Sequence, residues 1–320
     1  MSLSLLRFAR FLALASIVAP GSGQAQDVVK VILGTATPGG GFPAFGDAFV
    51  PTINENEPTL RIEPVNTKGS LENLPRLEQG TLDIALVAGE PAYEAIAGIG
   101  RVPTTAKIIA AIYSSPGMFV VRADSPYRTI ADLKGKPIAW GVKTSGLVIL
   151  GRYVMDGLGL DLERDFQAHY LEKAGDGPLM VQDGRVAALW GGGIGWPGFM
   201  AMAKSPGGAR FIVPDTGEIA RISAKHNFLK QTPVPANSYP GQAATLQSVA
   251  SWSFVMARPT LPDDVAYKII RAVHKGEAAI TARLAQARET TAANTALAAP
   301  RADTLHPGVA RYLREAGLLK

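Results

Sequence analysis

Two stretches carry residue types that can hold a small anion. The first is Thr35-Ala36-Thr37-Pro38-Gly39-Gly40-Gly41-Phe42, a glycine loop after the β-branched and aliphatic run Val28 to Leu33. Phe42, Phe45, Phe49 and Val50 follow at spacings that suit one helical face. A strand, a glycine loop and a helix N-terminus leave backbone N–H groups without intrahelical partners at the positive end of the helix dipole. That is a seat for a carboxylate or a phosphate. The second stretch, Gly141-Val142-Lys143-Thr144-Ser145-Gly146, repeats the device. It follows a strand at Ile138–Trp140 and opens a helix carrying Leu147, Leu150, Val154 and Leu158. Thr144 or Ser145 can cap that helix, and capping is compatible with ligand binding. Two such loops in successive units imply a cleft in which a carboxylate is held between facing helix N-termini.

Other candidates lie between and beyond these loops. Ser70 can cap a helix, with Asn73 at the capping-box position, and Gly80 ends that helix. Leu71, Leu74 and Leu77 would face inward from it. The strand Ile84–Val87 opens into Ala88-Gly89-Glu90-Pro91, with Pro91 suited to a first helical turn. Glu90 then stands at the carboxyl edge of a sheet, where ligands of open α/β proteins bind, or is simply a helix-start acid favoured by the dipole. The loop Gly191-Gly192-Gly193-Ile194-Gly195-Trp196 lets backbone approach something closely. Trp196 can stack on a ligand there, whereas Trp190 suits a core.

Catalytic and cofactor signatures are missing. The first loop lacks the Lys-Ser/Thr ending of a phosphate-binding nucleotide loop and is not a Gly-x-Gly-x-x-Gly fingerprint. No Gly-x-Ser-x-Gly elbow occurs, and no base flanks Ser70 or Ser145 in sequence; only His169 or His226 could approach them in space. The chain has no cysteine, which excludes disulfides and thiolate chemistry. Its four histidines are scattered without ligand spacing. No enzyme, metal site or cofactor is expected.

Composition narrows the class further. The 320 residues are 47% apolar and 18% charged, with a net charge of +5 spread without basic runs and only 7% aromatic residues. A nucleic-acid partner would need a clustered basic face. At the start, Arg7 and Arg10 precede the apolar run Phe11 to Ala19, then Pro20, Gly21 and Gly23-Gln24-Ala25. This is the anatomy of a secretory signal peptide, residues 1–25, cleaved after Ala25. Its removal takes two arginines and no acids, lowering the net charge from +5 to +3.

From Asp27 to about Tyr113 the pattern alternates strand and helix, with strands at Val28–Leu33, Leu60–Val65, Ile84–Val87 and Ile108–Ile112. This predicts βαβ units in a parallel sheet with helices on both faces. Ser114-Ser115-Pro116-Gly117 reads as a first crossing between domains. A second α/β unit follows, with strands at Met118–Val121, Val186–Trp190 and Phe211–Val213 and a helix at Pro178–Gly184. Thr232 to Gln242, rich in proline, reads as a long ordered loop. Ser248–Ala257 is predicted as one strand returning to the first unit. Helices are expected from Leu261-Pro262-Asp263-Asp264 through Val273, in the alanine-rich tail from Lys275, and from Pro307 to Ala316.

Taken in order, these motifs resemble the TAXI group of extracytoplasmic solute receptors of TRAP transporters, over essentially the whole mature chain. The resemblance rests on Leu33-Gly34-Thr35 with Gly39–Phe42, on Gly69-Ser70-Leu71-Glu72-Asn73-Leu74, and on Asp83-Ile84-Ala85-Leu86-Val87. It continues through Asp132-Leu133-Lys134-Gly135-Lys136, Thr144-Ser145-Gly146, Tyr239-Pro240-Gly241-Gln242, Leu261-Pro262-Asp263-Asp264-Val265 and Leu305-His306-Pro307-Gly308. It implies an α/β, two-lobed periplasmic binding protein fold (type II-like), each lobe a β-sheet flanked by helices with a hinge between. Lobe I would comprise residues 26–114 and 255–320, and lobe II residues 115–254. The family implies a receptor that closes on a small organic acid or amino acid and delivers it to a TRAP-type permease; an ABC importer or a sensor is the alternative, and a monomer is expected. By resemblance the ligand contacts are Thr35, Gly40, Gly41, Phe42, Ser70, Asn73, Gly89, Glu90, Thr144, Ser145, Gly146, Gly193, Trp196 and Gln242. Three departures bear on ligand identity. Phe42-Pro43-Ala44 replaces Thr-Tyr-Tyr, Glu90 replaces a neutral polar residue, and Leu147 replaces the last Thr of Gly-Ser-Gly-Thr.

Overall fold

The computed structural model describes residues 28–320, so the expected signal peptide lies outside the described residues. The chain begins with β1 (Val29–Gly34), α1 (Gly41–Asn56), β2 (Leu60–Val65), α2 (Ser70–Glu78), β3 (Ile84–Val87), α3 (Gly89–Ala97) and β4 (Lys107–Ser114). It continues with β5 (Gly117–Arg122), β6 (Pro137–Gly141), α4 (Gly146–Gly157), β7 (Gln167–Tyr170), α5 (Gly177–Gln182), β8 (Ala188–Gly192), α6 (Pro197–Ala203), β9 (Ala209–Ile212) and α7 (Thr216–Lys225). Strands β10 (Lys230–Val234), β11 (Leu246–Ala250) and β12 (Trp252–Ala257) precede α8 (Asp263–Arg283), α9 (Ala292–Ala298) and α10 (Pro307–Glu315).

Two five-stranded sheets result, ordered β2-β1-β3-β12-β4 and β7-β6-β8-β5-β9, with β10 and β11 forming a separate pair. The two-lobed α/β architecture is therefore the expected one. The sheets, however, are mixed rather than parallel. β1 runs parallel to β2 and β3, but β12 runs antiparallel to β3 and β4; likewise β5 opposes β8 and β9. The cause is the pair of direct crossings. β4 passes to β5 through Ser115 and Pro116, and β11 passes to β12 through Ser251, with no helix between. A strand arriving from the other lobe starts at the edge where its neighbours end, so it runs against them. The predicted single strand Ser248–Ala257 is thus two, one for each side of Ser251.

Each lobe has its own apolar core. In the first, β3 is buried along its whole length and takes Phe45, Phe49, Leu74 and Leu77 from α1 and α2. Leu71, predicted inward, is 38% exposed, because the buried face of α2 is set by Ser70, Asn73, Leu74 and Leu77 and leaves it to the side. In the second core Phe119 packs edge to face on Trp140 and Trp190, with ring centroids 5.4 and 4.8 Å apart, and the two indoles meet at a tilt, 5.8 Å apart. Trp190 is a core residue as read, and its indole N–H donates to the Leu147 carbonyl at 2.8 Å. The proline-rich stretch expected to be loop begins as a strand: β10 pairs antiparallel with β11, opposing Pro233 to Gln247. Proline is tolerated there because a two-stranded ribbon leaves each strand an open edge. The helix begun by Asp263 and Asp264 runs ten residues past Val273, to Arg283. Among the described residues no helix is long and apolar enough to cross a membrane.

Candidate functional site

The carboxyl ends of β1, β2, β3, β6 and β8 converge on one cavity of about 70 Å³ between the lobes. A single water needs roughly 10–15 Å³, so the space suits a small solute. Four helices of eight residues or more begin at its wall: α1 at Gly41, α2 at Ser70, α3 with Glu90 in its first turn and α4 at Gly146. None of the four has a side-chain cap. By contrast, α7 carries a full capping box from Asp215 and Glu218, and Thr291 and His306 cap α9 and α10. In α2 and α3 the N–H groups of Leu71 and Glu90 are taken by the Thr144 carbonyl and the Glu90 carboxylate, so it is the starts of α1 and α4 that leave first-turn N–H groups for something else.

Side chains point the same way. Ser253, 1% exposed, and Trp196, 3% exposed, both line the cavity. The hydroxyls of Ser253 and Ser145 and the indole N–H of Trp196 have no hydrogen-bond partner among the described residues. Buried polar groups are normally paired, so unpaired ones around a cavity mark a place for a ligand's polar atoms. Tyr113 also lines it, and burial raises the phenol well above its ordinary value. The charged lining residues are Lys68 and Glu90. Glu90 is 1% exposed, and burial pushes its carboxyl up to about 7.

Of the residues singled out by sequence, Gly40, Gly41, Phe42, Ser70, Glu90, Ser145, Gly146 and Trp196 meet at this wall. Six do not, for identifiable reasons. Thr35 and Asn73 are spent on holding loops together. The Thr35 hydroxyl donates to the Val65 carbonyl at 3.1 Å, and the Asn73 amide donates to the carbonyls of Thr35 and Leu86 at 2.9 and 2.8 Å. Gly89 faces the crossing instead, where a Cβ would stand 2.1 Å from Ser251 Oγ. Thr144 reaches over to the other lobe, donating to the Lys68 carbonyl at 2.9 Å. Gly193 accepts the Tyr239 hydroxyl at 2.6 Å, and the Gln242 side chain is tied to the carbonyls of Pro235 and Ala244. Gln242 thereby positions Tyr239, which in turn fixes the Gly193–Gly195 loop. Ser145 does stand at the N-cap of α4, though its side chain makes no capping bond, whereas Ser70 does not cap α2. Gly69 is the N-cap of α2, and Ser70 Oγ accepts the Ala88 N–H at 3.0 Å.

Tyr113, Ser115 and Ser253 were not among the sequence candidates. Tyr113 and Ser253 sit within strands, and no local pattern distinguishes them from core or surface positions. Ser115 belongs to the crossing that the sequence did mark.

The lobes are in contact across the cavity. Leu71 N–H donates to the Thr144 carbonyl at 3.3 Å, and Ala174 N–H donates to Thr37 Oγ1 at 3.4 Å. Gly39, with a φ of +81°, passes so near Gly175 that a Cβ would stand 2.6 Å from its Cα. Tyr93 stacks on Phe228 at 4.1 Å, and the Tyr153 hydroxyl donates to Glu94 at 2.8 Å. This is a closed arrangement. Among the described residues no histidine lines the cavity; His226, largely buried, lies with Asp156 at 2.7 Å.

Two sheets joined by direct strand crossings, closed over a cavity ringed by helix N-termini, define the fold of the periplasmic solute-binding proteins. Residues 33–317 match the NMT1-like family, and the chain belongs to it. Among solved structures, MatC from Rhodopseudomonas palustris with bound malate is 12% identical, with 90% of this chain and 96% of that one covered and a TM-score of 0.58. A putative L-cystine ABC transporter protein from Listeria monocytogenes is 13% identical, covering 82% of this chain and 97% of that one, with a TM-score of 0.50. The binding-protein component of an ABC phosphonate transporter from Pseudomonas aeruginosa is also 13% identical, covering 81% and 79%, with a TM-score of 0.50. At these identities the likeness is one of fold.

Proposed function

We propose that this protein is a periplasmic receptor that captures a small organic acid or amino acid between its lobes and delivers it to a TRAP-type permease. One observation carries the reading: uncapped N-termini of α1 and α4, from opposite lobes, open onto one cavity whose Ser145 and Ser253 hydroxyls lack partners. Preorganised N–H groups at two helix ends favour a carboxylate over a neutral group. Gly40, Gly41, Phe42, Ser70, Glu90, Ser145, Gly146 and Trp196 would contact the ligand. Thr35, Asn73, Gly89, Thr144, Gly193 and Gln242 would hold those groups in place. The malate bound by MatC is an acid of the size considered.

A second reading keeps the receptor and changes its customer to an ABC importer, since two of the structural neighbours are described as parts of ABC transporters. A secreted hydrolase is disfavoured by a cavity without a histidine. Thermal-shift screening against amino acids, dicarboxylates, keto acids and aromatic acids tests the receptor itself, because a ligand of the folded state raises the melting temperature by mass action. A shift by small acids is expected; a response confined to neutral or cationic compounds would refute the carboxylate seat. Uptake assays with each candidate permease separate the two transport systems.

A further inference from the structure

An anion-binding cavity has no evident use for a buried acid, yet Glu90 stands in its wall. Its Oε1 accepts the Ser251 hydroxyl at 2.5 Å, and its own backbone N–H also donates to the carboxylate. Among the described residues no cation pairs with it, and Lys68 is the one cation in the cavity lining. The neighbouring charge is Glu94, one turn along α3, which repels it and already takes the Tyr153 hydroxyl. An ionised carboxylate out of water is costly unless paired, and the cavity that Glu90 lines offers room for a partner. We infer that Glu90 is the seat for the ammonium group of an α-amino acid whose carboxylate rests on the N-termini of α1 and α4. The inference rests on the receptor reading and narrows its ligand class.

The geometry favours one small zwitterion over two separate ligands. Ala88, two residues before Glu90, abuts Gly146 at the start of α4, so the anion seat and the acid are neighbours. A cavity of about 70 Å³ leaves space for one compact molecule spanning both. The remaining wall includes Phe42, Leu147 and Trp196, suited to an apolar side chain.

Calorimetric titration of the purified protein with L-amino acids, the matching 2-hydroxy and 2-oxo acids, and malate and succinate tests this. At least one amino acid should bind, and its 2-hydroxy counterpart should bind roughly tenfold to a hundredfold more weakly, the size of a lost charge-assisted hydrogen bond. Glu90→Gln should weaken the amino acid by a similar factor and so close most of the gap between it and its 2-hydroxy counterpart. Acids without an ammonium group binding as tightly as amino acids, with Glu90→Gln equal or better, would overturn the inference while leaving the receptor reading intact. So would an acid whose affinity falls as pH rises through about 7, the behaviour of a protonated Glu90 donating to an anion. Absence of binding by every acid in the panel would overturn both. Should Glu90→Gln fail to fold, the comparison of amino and hydroxy acids on the wild-type protein still decides.

Discussion

A Cβ at Gly146 would stand 2.1 Å from the Cβ of Ala88, across the boundary between the lobes. Gly146 opens α4 in the second lobe, and Ala88 precedes α3 in the first. The two backbones meet this closely only when the lobes are together, so the pair reports closure and not the stability of either lobe. Gly146→Ala should leave the unliganded melting temperature nearly unchanged and weaken ligand binding at least about tenfold, or 1.4 kcal/mol. Ala88→Gly in the same chain should restore much of the loss. A single variant that binds normally would mean the contact is not required for capture.

Thr144 is the hydrogen-bonded counterpart of that steric contact. Its hydroxyl donates to the Lys68 carbonyl of the other lobe at 2.9 Å. A net hydrogen bond contributes about 0.5–1.5 kcal/mol. Thr144→Ala should therefore raise the dissociation constant roughly threefold to tenfold. Ser145→Ala should act more strongly, because the Ser145 hydroxyl has no other partner and is free for the ligand. Titration of both variants against wild type checks the order, and an unaffected Ser145→Ala would remove that hydroxyl from the site.

Much of this was legible in the sequence because it depends on local signals. Glycine loops after β-branched runs predict where helices start, and eight of the fourteen residues read as ligand contacts do line one cavity. The other six look the same in sequence because small polar residues near a loop serve equally to hold it. Only the fold reveals that Asn73 spends its amide on the Thr35 and Leu86 carbonyls. Antiparallel entry of β12 was illegible for a different reason. Strand direction is set by the lobe from which the chain arrives, which periodicity does not encode. Tyr113 and Ser253 became site residues in the same non-local way, through the crossing strands that carry them.

Glu90 should make stability depend on pH. An exposed glutamate titrates near 4.5, whereas burial holds the Glu90 proton up to about 7. Between these values the folded state binds more protons than the unfolded chain, so stability falls as pH rises. The full effect is roughly 3 kcal/mol. Urea melts of the ligand-free protein at pH 5 and pH 8 should show this decline, and Glu90→Gln should flatten it. An identical decline in the variant would place the cause elsewhere.

Asp83 offers a control at the opposite end of the first sheet, ahead of β3. Its carboxylate accepts the Ile32 N–H and the Arg258 guanidinium, both at 2.8 Å, tying β1 to the segment after β12. Asp83→Ala should cost about 1–3 kcal/mol of stability, since it strands a half-buried arginine and a strand N–H. Ligand affinity under folding conditions should be unchanged, because Asp83 is remote from the cavity wall. Denaturant midpoints and titrations on the same sample separate the two effects.

The joint grip of both lobes on one carboxylate is tested most directly by a crystal structure with a bound small acid. Its carboxylate should accept N–H groups from the start of α1, near Gly41 and Phe42, and from the start of α4, near Gly146 and Leu147. An acid seated against one lobe alone, or in the separate hollow lined by Tyr93, Phe228 and Trp252, would contradict the account.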